Sequence, residues 1–428
     1  MRINLLLTGD ELMSGDTVDS NSAMIARQLV PLGWKIQQKL TVGDDLDTLV
    51  QAIAALTQQT DVLLMNGGLG PTVDDLTAEA VAQCANVSLR EHPEAVAHLQ
   101  QWCAARGIAL NAANRKQAML PENCDIVANP VGSAVGFSVR INGCLVICTP
   151  GVPRELEAML ADSIMLSLRK LFAGGQRQIK RYALFGIGES ALQQRISDAI
   201  PDWPAEVGLG FRAGFPQLEL KLTTETERAV ATLEQLLPRL QPLIADYVIG
   251  EVPVGGTGVS MSEQLIQLLV AKGKRIAVAE SCTGGLISAQ LTSVAGSSQA
   301  FEGGLVTYSN AMKHVVLGVD PTTLNEHGAV SEAVVREMVR GTLRISGADY
   351  AAAVSGVAGP GGGSADKPVG TVWIAWGTAA SVQAVRLYVP LGRAMFQQYV
   401  AAVTQDLIRR ALLDIKEMPA YFRDRRPR

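Results

Sequence analysis

Three polar side chains in the C-terminal third of the chain have types that suit nucleophilic chemistry. Ser281 lies in a short turn between an apolar, strand-like run and a segment with helical spacing, whereas Tyr308 and Lys313 follow a later apolar run. A serine becomes a nucleophile when a base takes its proton, and a lysine whose pKa is lowered by partial burial can be that base. Serine also caps helices, and does so more often than it attacks a substrate. Both interpretations of Ser281 remain open, and the nearby tyrosine and lysine favour the nucleophile.

Glycine-rich segments near these residues could bring the backbone close to a bound ligand. Thr283, Gly284 and Gly285 follow Ser281 in a strand–turn–helix layout, in which backbone N–H groups can hold an oxyanion. A longer loop between two apolar runs contains four glycines that could cradle a phosphate: Gly359, Gly361, Gly362 and Gly363. Arg393 could clamp the same phosphate from the start of a predicted helix. A solvated loop and a surface salt bridge are the alternative interpretations of these two features.

The N-terminal third contains a second glycine turn. Gly67, Gly68 and Gly70 follow a short apolar run, and two acidic residues, Asp74 and Asp75, precede the next helical segment. Acidic residues favour a helix N-terminus, but two carboxylates beside a phosphate-sized turn also suit a divalent metal bound between protein and phosphate. The sequence favours these two interpretations about equally. The GxGxxG fingerprint of dinucleotide-binding domains is absent from this turn.

The elements that would position these residues follow an α/β pattern. In residues 1–170, short apolar runs alternate with segments of helical spacing, which predicts a doubly wound sheet. The pattern is different in residues 171–252, where it predicts a small α+β module. A linker rich in Gly and Pro precedes residues 258–415, for which we predict a third, α/β domain. The Ser281 turn and the glycine turn at Gly67 therefore belong to different predicted domains.

Composition narrows the classes of function. The chain has 428 residues, too many for one ordinary domain, and 48% of them are hydrophobic, which supplies material for large cores. Its net charge of -4 argues against a general nucleic-acid binder. Six scattered cysteines without a CxxC pair and only four histidines argue against a zinc site. No apolar run reaches the ~18 residues of a membrane span and no signal-peptide layout begins the chain, so we predict a cytoplasmic protein without a membrane partner.

Several motifs of the C-terminal third, in their order along the chain, closely resemble the C-terminal domain of the competence/damage-inducible protein A (CinA) family. They are AESCTGG at residues 279–285, VTYSN at 306–310 with Lys313, LGV at 317–319, GAVS at 328–331, and GPGG at 359–362 followed by KPVGTV at 367–372. The resemblance covers residues 258–415. It departs from the family pattern at Ser364, where we expect threonine, although a hydroxyl is retained.

The resemblance implies that this domain hydrolyses the carboxamide of nicotinamide mononucleotide (NMN) to nicotinic acid mononucleotide and ammonia. This is a step of pyridine-nucleotide salvage, and no cofactor is implied for it. Ser281 would attack the carboxamide carbon, while Tyr308 and Lys313 would manage the proton and the leaving ammonia. Backbone N–H groups near Thr283 and Gly284 would hold the oxyanion. The resemblance implies substrate-binding roles for further residues: Gly285, Asn310, the four loop glycines, and Arg393 at the 5′-phosphate.

The N-terminal third resembles the MoaB/MogA-like molybdopterin-binding fold, in the form that begins the same family. Its motifs are GDEL at 9–12, DSN at 19–21, VGD at 42–44, NGGLGPTVDDLTAE at 66–79, NRKQA at 114–118, NPVGSA at 129–134 and PGVP at 150–153 with Glu155. GIGES at 186–190 fits the middle module of the family. The motifs add four residues to the predicted N-terminal site: Glu11, Asn21, Thr77 and Lys116. Asp10 stands where the family pattern has threonine.

Family members with this N-terminal domain are associated with metal-dependent ADP-ribose pyrophosphatase activity. The resemblance therefore implies a second hydrolase site, with Asp74 and Asp75 as candidate ligands of a divalent metal. Two alternatives remain. The N-terminal domain could be a non-catalytic module that binds a nucleotide or a pterin, or the whole chain could be a competence-related scaffold for other proteins. Since domains of both types commonly self-associate, we also expect a homodimer.

Overall fold

The computed structural model describes residues 1–172, 174, 177–416, 419 and 421–426. These residues form two compact units. The first contains Met1–Ile179, Thr224–Val230 and Val254–Gly256, and the second contains Lys180–Thr223, Ala231–Pro253 and the described part of Thr257–Arg428. Most of the segment that the sequence predicts as a middle module, residues 171–252, thus lies in the same unit as the Ser281 turn.

The first unit alternates strands and helices, as its apolar pattern predicts. Its strands are β1 (Ile3–Thr8), β2 (Ile36–Val42), β3 (Val62–Asn66), β4 (Leu89–Glu91), β5 (Met119–Pro121), β6 (Asp125–Val127), β7 (Gly136–Ile141) and β8 (Cys144–Thr149). Its helices are α1 (Asp10–Ser14), α2 (Asn21–Leu29), α3 (Leu46–Thr57), α4 (Thr77–Ala85), α5 (Pro93–Ala104), α6 (Ala112–Lys116), α7 (Pro153–Met159) and α8 (Met165–Leu171).

Six of these strands form one sheet in the order β2-β1-β3-β8-β7-β6. The first four run parallel, and β7 and β6 are antiparallel to their neighbours. Strands β1, β3 and β8 are buried along their whole length because hydrophobic clusters cover both faces of the sheet. Their carboxyl ends at Thr8, Asn66 and Thr149 meet at one edge, which is where open α/β sheets bind ligands.

The remaining elements lie wholly or mostly in the second unit. Its strands are β9 (Gln178–Phe185), β10 (Gly208–Gly214), β11 (Gln217–Thr224), β12 (Val248–Val252), β13 (Ile276–Glu280), β14 (Phe301–Val306), β15 (Tyr350–Gly356), β16 (Thr371–Gly377) and β17 (Val382–Tyr388). Its helices are α9 (Glu189–Ala199), α10 (Glu227–Ile244), α11 (Met261–Ala271), α12 (Leu286–Thr292), α13 (Asn310–Leu317), α14 (Pro321–His327), α15 (Glu332–Ser346), α16 (Arg393–Leu412) and α17 (Tyr421–Asp424).

Two sheets organise this unit. Strands β9 to β12 form a four-stranded sheet in the order β10-β11-β9-β12, and the later strands form a five-stranded sheet in the order β14-β13-β15-β16-β17. Strand β13 lies between two parallel neighbours, and its last residue, Glu280, pairs with Val306 at the end of β14. Ser281 and Thr307 therefore leave the sheet side by side.

The predicted α/β class is confirmed in both units. All six cysteines are free thiols, and five of them are buried. Within the residues that the structure describes, no helix has both the length and the apolar composition that crossing a membrane requires.

Candidate active site

The ends of two parallel strands hold the nucleophile candidate and its base. Ser281 follows β13, and its N–H donates to the carbonyl of Val354 in β15 at 3.1 Å. On the other side, the N–H of Thr307 donates to the carbonyl of Glu280 at 2.9 Å. Lys313 lies in the first turn of α13, which starts three residues after Thr307. The pairing of β13 with both neighbours thus continues past the strand ends and fixes the backbone around Ser281.

The structure brings the side chains of Ser281 and Lys313 together. The Lys313 Nζ lies 3.0 Å from Ser281 Oγ, 2.9 Å from the carbonyl of Thr307 and 3.2 Å from the carbonyl of Tyr308. Lys313 is only 1% exposed and makes no ion pair with a described carboxylate. Burial lowers the pKa of Lys313, because the charged ammonium loses its hydration.

The three neighbours of Lys313 can satisfy either an ammonium or a neutral amine. A neutral amino group has two N–H bonds and one lone pair, whereas an ammonium has three N–H bonds and no acceptor. The two carbonyls at Thr307 and Tyr308 can accept the two N–H bonds, which leaves the lone pair for the hydroxyl of Ser281. In the neutral form Lys313 accepts the proton of Ser281, as a general base requires, whereas in the ammonium form Lys313 donates to Ser281 Oγ.

Glu280 is a residue that the motif analysis did not single out for a role. Its carboxylate is 0% exposed and accepts from the Oγ1 of Thr283 at 2.7 Å. It also accepts from the N–H groups of Gly285, Ile287 and Ser288 at 3.0, 3.1 and 2.8 Å, and from Ser288 Oγ at 2.6 Å. A charged residue that ends the otherwise apolar strand β13 is the sequence signal for it, since buried carboxylates require several donors.

These contacts change the roles predicted for two residues of the turn. The hydroxyl of Thr283 and the N–H of Gly285 both donate to Glu280, so neither is free for a substrate. The N–H of Gly284 donates to the carbonyl of Ser281 at 3.2 Å. Of the donors predicted to hold an oxyanion near Thr283 and Gly284, only the N–H of Thr283 therefore remains available.

Among the described residues, the hydroxyl of Tyr308 hydrogen-bonds to Arg393 and not to Ser281 or Lys313. Its hydroxyl accepts from Arg393 Nη2 at 3.0 Å, and Arg393 Nη1 donates to the carbonyl of Gly359 at 2.9 Å. Its side chain is 58% exposed. Among the described residues, the contact between Tyr308 and Lys313 runs through the backbone carbonyl of Tyr308 and not through its phenol. The structure thus joins Tyr308, Arg393 and the glycine loop.

Helix α16 connects the arginine to the nucleophile turn. Arg393 is its first residue, and Gln397 lies one helical turn later on the same face. Gln397 Nε2 donates to the carbonyl of Cys282 at 2.9 Å. One rigid helix therefore supplies both a cation near the glycine loop and a support for the turn after Ser281.

Of the other predicted substrate-binding residues, Gly359 is buried and the remaining four are exposed. Gly359 has a positive φ of 76°, and a Cβ there would lie 2.5 Å from Val369. Gly361, Gly362 and Gly363 are exposed, as is Asn310 at the start of α13. In the part of the chain that the structure describes, none of these five residues hydrogen-bonds to Ser281 or Lys313.

A second cleft lies at the carboxyl edge of the sheet in the first unit. It has a volume of about 500 Å³ and includes six of the predicted residues: Glu11, Gly67, Gly68, Gly70, Asp74 and Asp75. It also includes Thr8, Asp44 and Glu155, to which the sequence analysis gave no separate role. Gly67 has a φ of 113°, and a Cβ there would lie 2.5 Å from the carbonyl of Thr8. The absence of a side chain lets the turn approach β1.

Other predicted residues of this site support the cleft without lining it. Asn21 Nδ2 donates to Asn66 Oδ1 at 2.8 Å and to the carbonyl of Gly151 at 2.6 Å. Thr77 is buried, and its hydroxyl donates to the carbonyl of Gly67 at 2.8 Å. These contacts hold the loops after β3 and β8 in place.

The two aspartates of the glycine turn have different environments. Asp75 accepts from the N–H groups of Gly70 and Thr72 at 2.7 and 2.8 Å, and from the hydroxyl of Thr72 at 2.5 Å. Its carboxylate thus holds the loop together. Asp74 is exposed. Lys116 donates to the carbonyl of Thr72.

This arrangement does not fit the predicted metal site at Asp74 and Asp75. The carboxylate of Asp75 already serves three donors of its own loop, so few of its lone pairs face the cleft. The described residues contain no group of three or more His, Cys, Asp or Glu side chains that could hold a metal ion. Asp75 is thus engaged in its own loop, and the metal site stays a prediction.

Two family models match separate parts of the chain. The model described as "CinA C-terminal domain" matches residues 259–412, and the one described as "Probable molybdopterin binding domain" matches residues 4–170. These ranges contain the Ser281 turn and the glycine turn at Gly67, respectively.

Individual relatives are similar over nearly the whole chain. A CinA-like protein of Colwellia psychrerythraea is 47% identical over 425 residues, which cover 99% of this chain and 98% of the relative. A protein of Shewanella oneidensis named nicotinamide-nucleotide amidohydrolase PncC is 40% identical over 415 residues, or 96% of each chain. With this similarity and both domain matches, the chain belongs to the CinA-like family, with a molybdopterin-binding-type N-terminal domain and a CinA C-terminal domain.

Proposed function

We propose that the C-terminal site hydrolyses the carboxamide of NMN to nicotinic acid mononucleotide and ammonia. The observation that carries this proposal is the 3.0 Å distance between Lys313 Nζ and Ser281 Oγ. A buried lysine without a carboxylate partner is a base for an adjacent serine, and such a pair can attack an amide carbon. The printed name of the Shewanella oneidensis relative supports the choice of substrate.

In the first half of the reaction, Ser281 Oγ forms a bond to the carboxamide carbon while its proton moves to Lys313 Nζ. The carbonyl π bond opens and leaves a negative charge on oxygen. When this tetrahedral intermediate collapses, the C–N bond breaks and Lys313 returns the proton to the departing nitrogen, so ammonia leaves. The product is an ester between Ser281 and the nicotinoyl group.

In the second half, water replaces the amine. Lys313 takes a proton from a water molecule while the oxygen of that water forms a bond to the ester carbon. The C–O bond to Ser281 then breaks, and Lys313 returns the proton to Ser281 Oγ. Nicotinic acid mononucleotide leaves as the carboxylic acid and releases its proton to the solvent, and the site is restored.

The 5′-phosphate of NMN requires a cation outside this dyad. Arg393 supplies one beside the glycine loop, where its Nη1 contacts the carbonyl of Gly359 at 2.9 Å. A guanidinium can donate two parallel hydrogen bonds to phosphate oxygens. In this assignment Tyr308 orients Arg393 through its hydroxyl and does not transfer a proton.

Incubation of the purified chain with NMN tests the proposal. We expect equal amounts of ammonia and nicotinic acid mononucleotide, measured by a coupled ammonia assay and by chromatography. Ser281→Ala removes the nucleophile and should reduce the rate to the background. Product formation by Ser281→Ala at the wild-type rate would exclude the mechanism.

We propose a second function for the N-terminal cleft, namely binding of ADP-ribose. Its volume of about 500 Å³ supports a nucleotide-sized ligand, and the N–H groups of Gly68 and Leu69 make no hydrogen bond within the described part of the chain. Such N–H groups bind phosphate oxygens. Titration calorimetry with ADP-ribose, with and without Mg²⁺, tests binding. Release of AMP and ribose 5-phosphate would show pyrophosphatase activity, and binding without cleavage would leave a binding module.

Two predictions concern the setting of the protein. We propose that it acts in the cytoplasm, and the six free thiols support a reducing compartment. The homodimer stays a prediction, which light scattering of the purified chain would check.

A further inference from the structure

In the turn after Ser281, two backbone N–H groups have no acceptor among the described residues. Gly284 donates to the carbonyl of Ser281, and the next N–H groups along the chain donate to Glu280 or to the turn itself. The N–H groups of Cys282 and Thr283 hydrogen-bond to no other described residue. Both residues are buried. N–H groups that no protein atom accepts are available to a bound ligand, and two adjacent ones can donate to the same oxyanion.

The carboxylate of Glu280 accepts hydrogen bonds from the N–H groups that follow the turn. It takes those of Gly285, Ile287 and Ser288, which belong to the first turn of α12 and its N-cap position. Gly285 has no side chain to cap this helix, so Glu280 caps it from the preceding strand.

We propose that Glu280 is the positioning residue of the nucleophile turn. By anchoring the start of α12, it holds the backbone so that the N–H groups of Cys282 and Thr283 stay free for the oxyanion that forms when Ser281 attacks. This inference rests on the proposed function of the site. It assigns a task to a residue that contacts neither Lys313 nor the substrate-binding arginine.

A glutamine cannot replace this carboxylate. Glu280 receives five hydrogen bonds, three from N–H groups and two from hydroxyls. A carboxylate only accepts, whereas one end of a glutamine amide carries two N–H donors. In Glu280→Gln at least one backbone N–H therefore faces another donor, and the turn shifts. Loss of one oxyanion donor lowers kcat by about 100- to 1,000-fold in other hydrolases.

The test compares Glu280→Gln with the wild-type chain in two assays. The first is steady-state hydrolysis of NMN, in which we expect kcat to fall by about 100-fold or more and KM to change by less than about threefold. The second is covalent labelling of Ser281 by a fluorophosphonate, followed by mass spectrometry. We expect a slower labelling rate, with one label per chain at completion as in the wild type.

The labelling assay separates positioning from folding. If Glu280→Gln only reduced the fraction of folded molecules, fewer chains would be labelled, but those would react at the wild-type rate. The pH dependence of kcat should keep its wild-type midpoint, because that midpoint belongs to Lys313. A reduced label count at the wild-type rate, or a shifted midpoint, would overturn the positioning role.

Glu263→Gln is the matched control. Glu263 also accepts a backbone N–H at the start of a helix, that of Ser260 at 3.0 Å, but lies at α11 and outside the nucleophile turn. For Glu263→Gln we expect the wild-type kcat and labelling rate.

If Glu280→Gln fails to fold, the double variant Thr283→Val, Ser288→Ala removes two of the five donors and keeps the carboxylate. For it we expect an intermediate loss of kcat, and an unchanged kcat would overturn the inference.

The outcomes distinguish this inference from the proposed function. If the wild-type chain hydrolyses NMN and Glu280→Gln does so within threefold of its rate, the inference alone fails. If the wild-type chain is labelled at Ser281 but releases no ammonia from NMN, the substrate is wrong and the labelling rates still decide the role of Glu280. If the wild-type chain shows neither reaction, both fail.

Discussion

The guanidinium of Arg393 lies 3.0 Å from the hydroxyl of Tyr308, although 85 residues separate them in the chain. Because Arg393 also contacts the carbonyl of Gly359, this contact places the Tyr308 hydroxyl beside the glycine loop. It also makes the division of labour between Tyr308 and Lys313 testable.

Arg393→Ala should weaken substrate binding more than turnover. A hydrogen bond to a charged group contributes about 1.5–3 kcal/mol, so KM for NMN should rise by about 10- to 100-fold while kcat stays within about threefold. Steady-state kinetics checks this, with Arg340→Ala on the exposed face of α15 as the control. A large fall in kcat without a change in KM would contradict the phosphate assignment.

Tyr308→Phe should behave as a mild version of the same change. Losing the hydroxyl leaves Arg393 less well oriented, so KM should rise by about threefold to tenfold and kcat should be nearly unchanged. The same kinetic assay measures both. If Tyr308 relayed a proton, kcat would instead fall by about 100-fold or more.

If Lys313 is the base, the turnover rate should rise once with increasing pH and then stay constant. The base works only as the neutral amine, and burial lowers the pKa of Lys313 below its ordinary value of 10.5. Turnover should therefore increase as the pH rises through the lowered pKa and then level off. Initial rates from pH 6 to 10 would show this. Lys313→Arg should be inactive throughout, and a wild-type rate that still rises about tenfold per pH unit up to pH 10 would exclude a lowered pKa of Lys313.

The same lysine should also affect stability. Between its lowered folded-state pKa and 10.5, the unfolded chain binds a proton that the folded chain does not. The free energy of unfolding of the second unit should therefore increase as the pH rises through this interval. Chemical denaturation at several pH values measures this slope, which Lys313→Met should lose. An equal slope in both proteins would show that Lys313 titrates normally.

Cys282 should be inert although it adjoins the nucleophile. Burial raises the pKa of its thiol to about 12, so almost no thiolate forms near neutral pH. Iodoacetamide at pH 8 should leave Cys282 unmodified in the folded chain and should alkylate it in urea, as peptide mass spectrometry would show. Rapid alkylation of the folded chain would contradict the buried position.

Gly67→Ala should damage the N-terminal cleft. The residue has a positive φ, and the new Cβ would meet the carbonyl of Thr8 at 2.5 Å, so we expect a loss of at least about 2 kcal/mol and of ADP-ribose binding. Gly107→Ala is the matched control, because its φ is also positive but no atom lies within 4 Å of the new Cβ. That change should cost only about 1 kcal/mol. Thermal unfolding and calorimetry measure both, and equal losses would refute the steric argument.

The sequence predicted the parts of the site that follow from strand order. Ser281 and Lys313 come after two apolar runs, and parallel neighbours end at the same edge, so their proximity could be anticipated. The direction of the Tyr308 phenol could not, because an exposed side chain has several rotamers and its partner Arg393 is distant in sequence.

The roles of the carboxylates were harder to predict from the sequence than the proximity of Ser281 and Lys313. Asp75 has the residue type of a metal ligand, but its hydrogen bonds to Gly70 and Thr72 are local loop contacts that composition does not distinguish from ligation. Glu280 carried a signal, a charge at the end of an apolar strand, yet its five donors are apparent only once α12 is in place.

The hydrogen bonds that flank Ser281 have a consequence for how the site forms. The N–H groups of Ser281 and Thr307 donate to carbonyls of the neighbouring strands. The backbone that carries Ser281 therefore continues the register between β13, β14 and β15. A slip of one residue would turn Ser281 to the opposite face of the sheet. The dyad therefore assembles only when the central strands pair correctly, and the amide hydrogens of Ser281 and Thr307 should exchange with solvent only when the sheet itself opens.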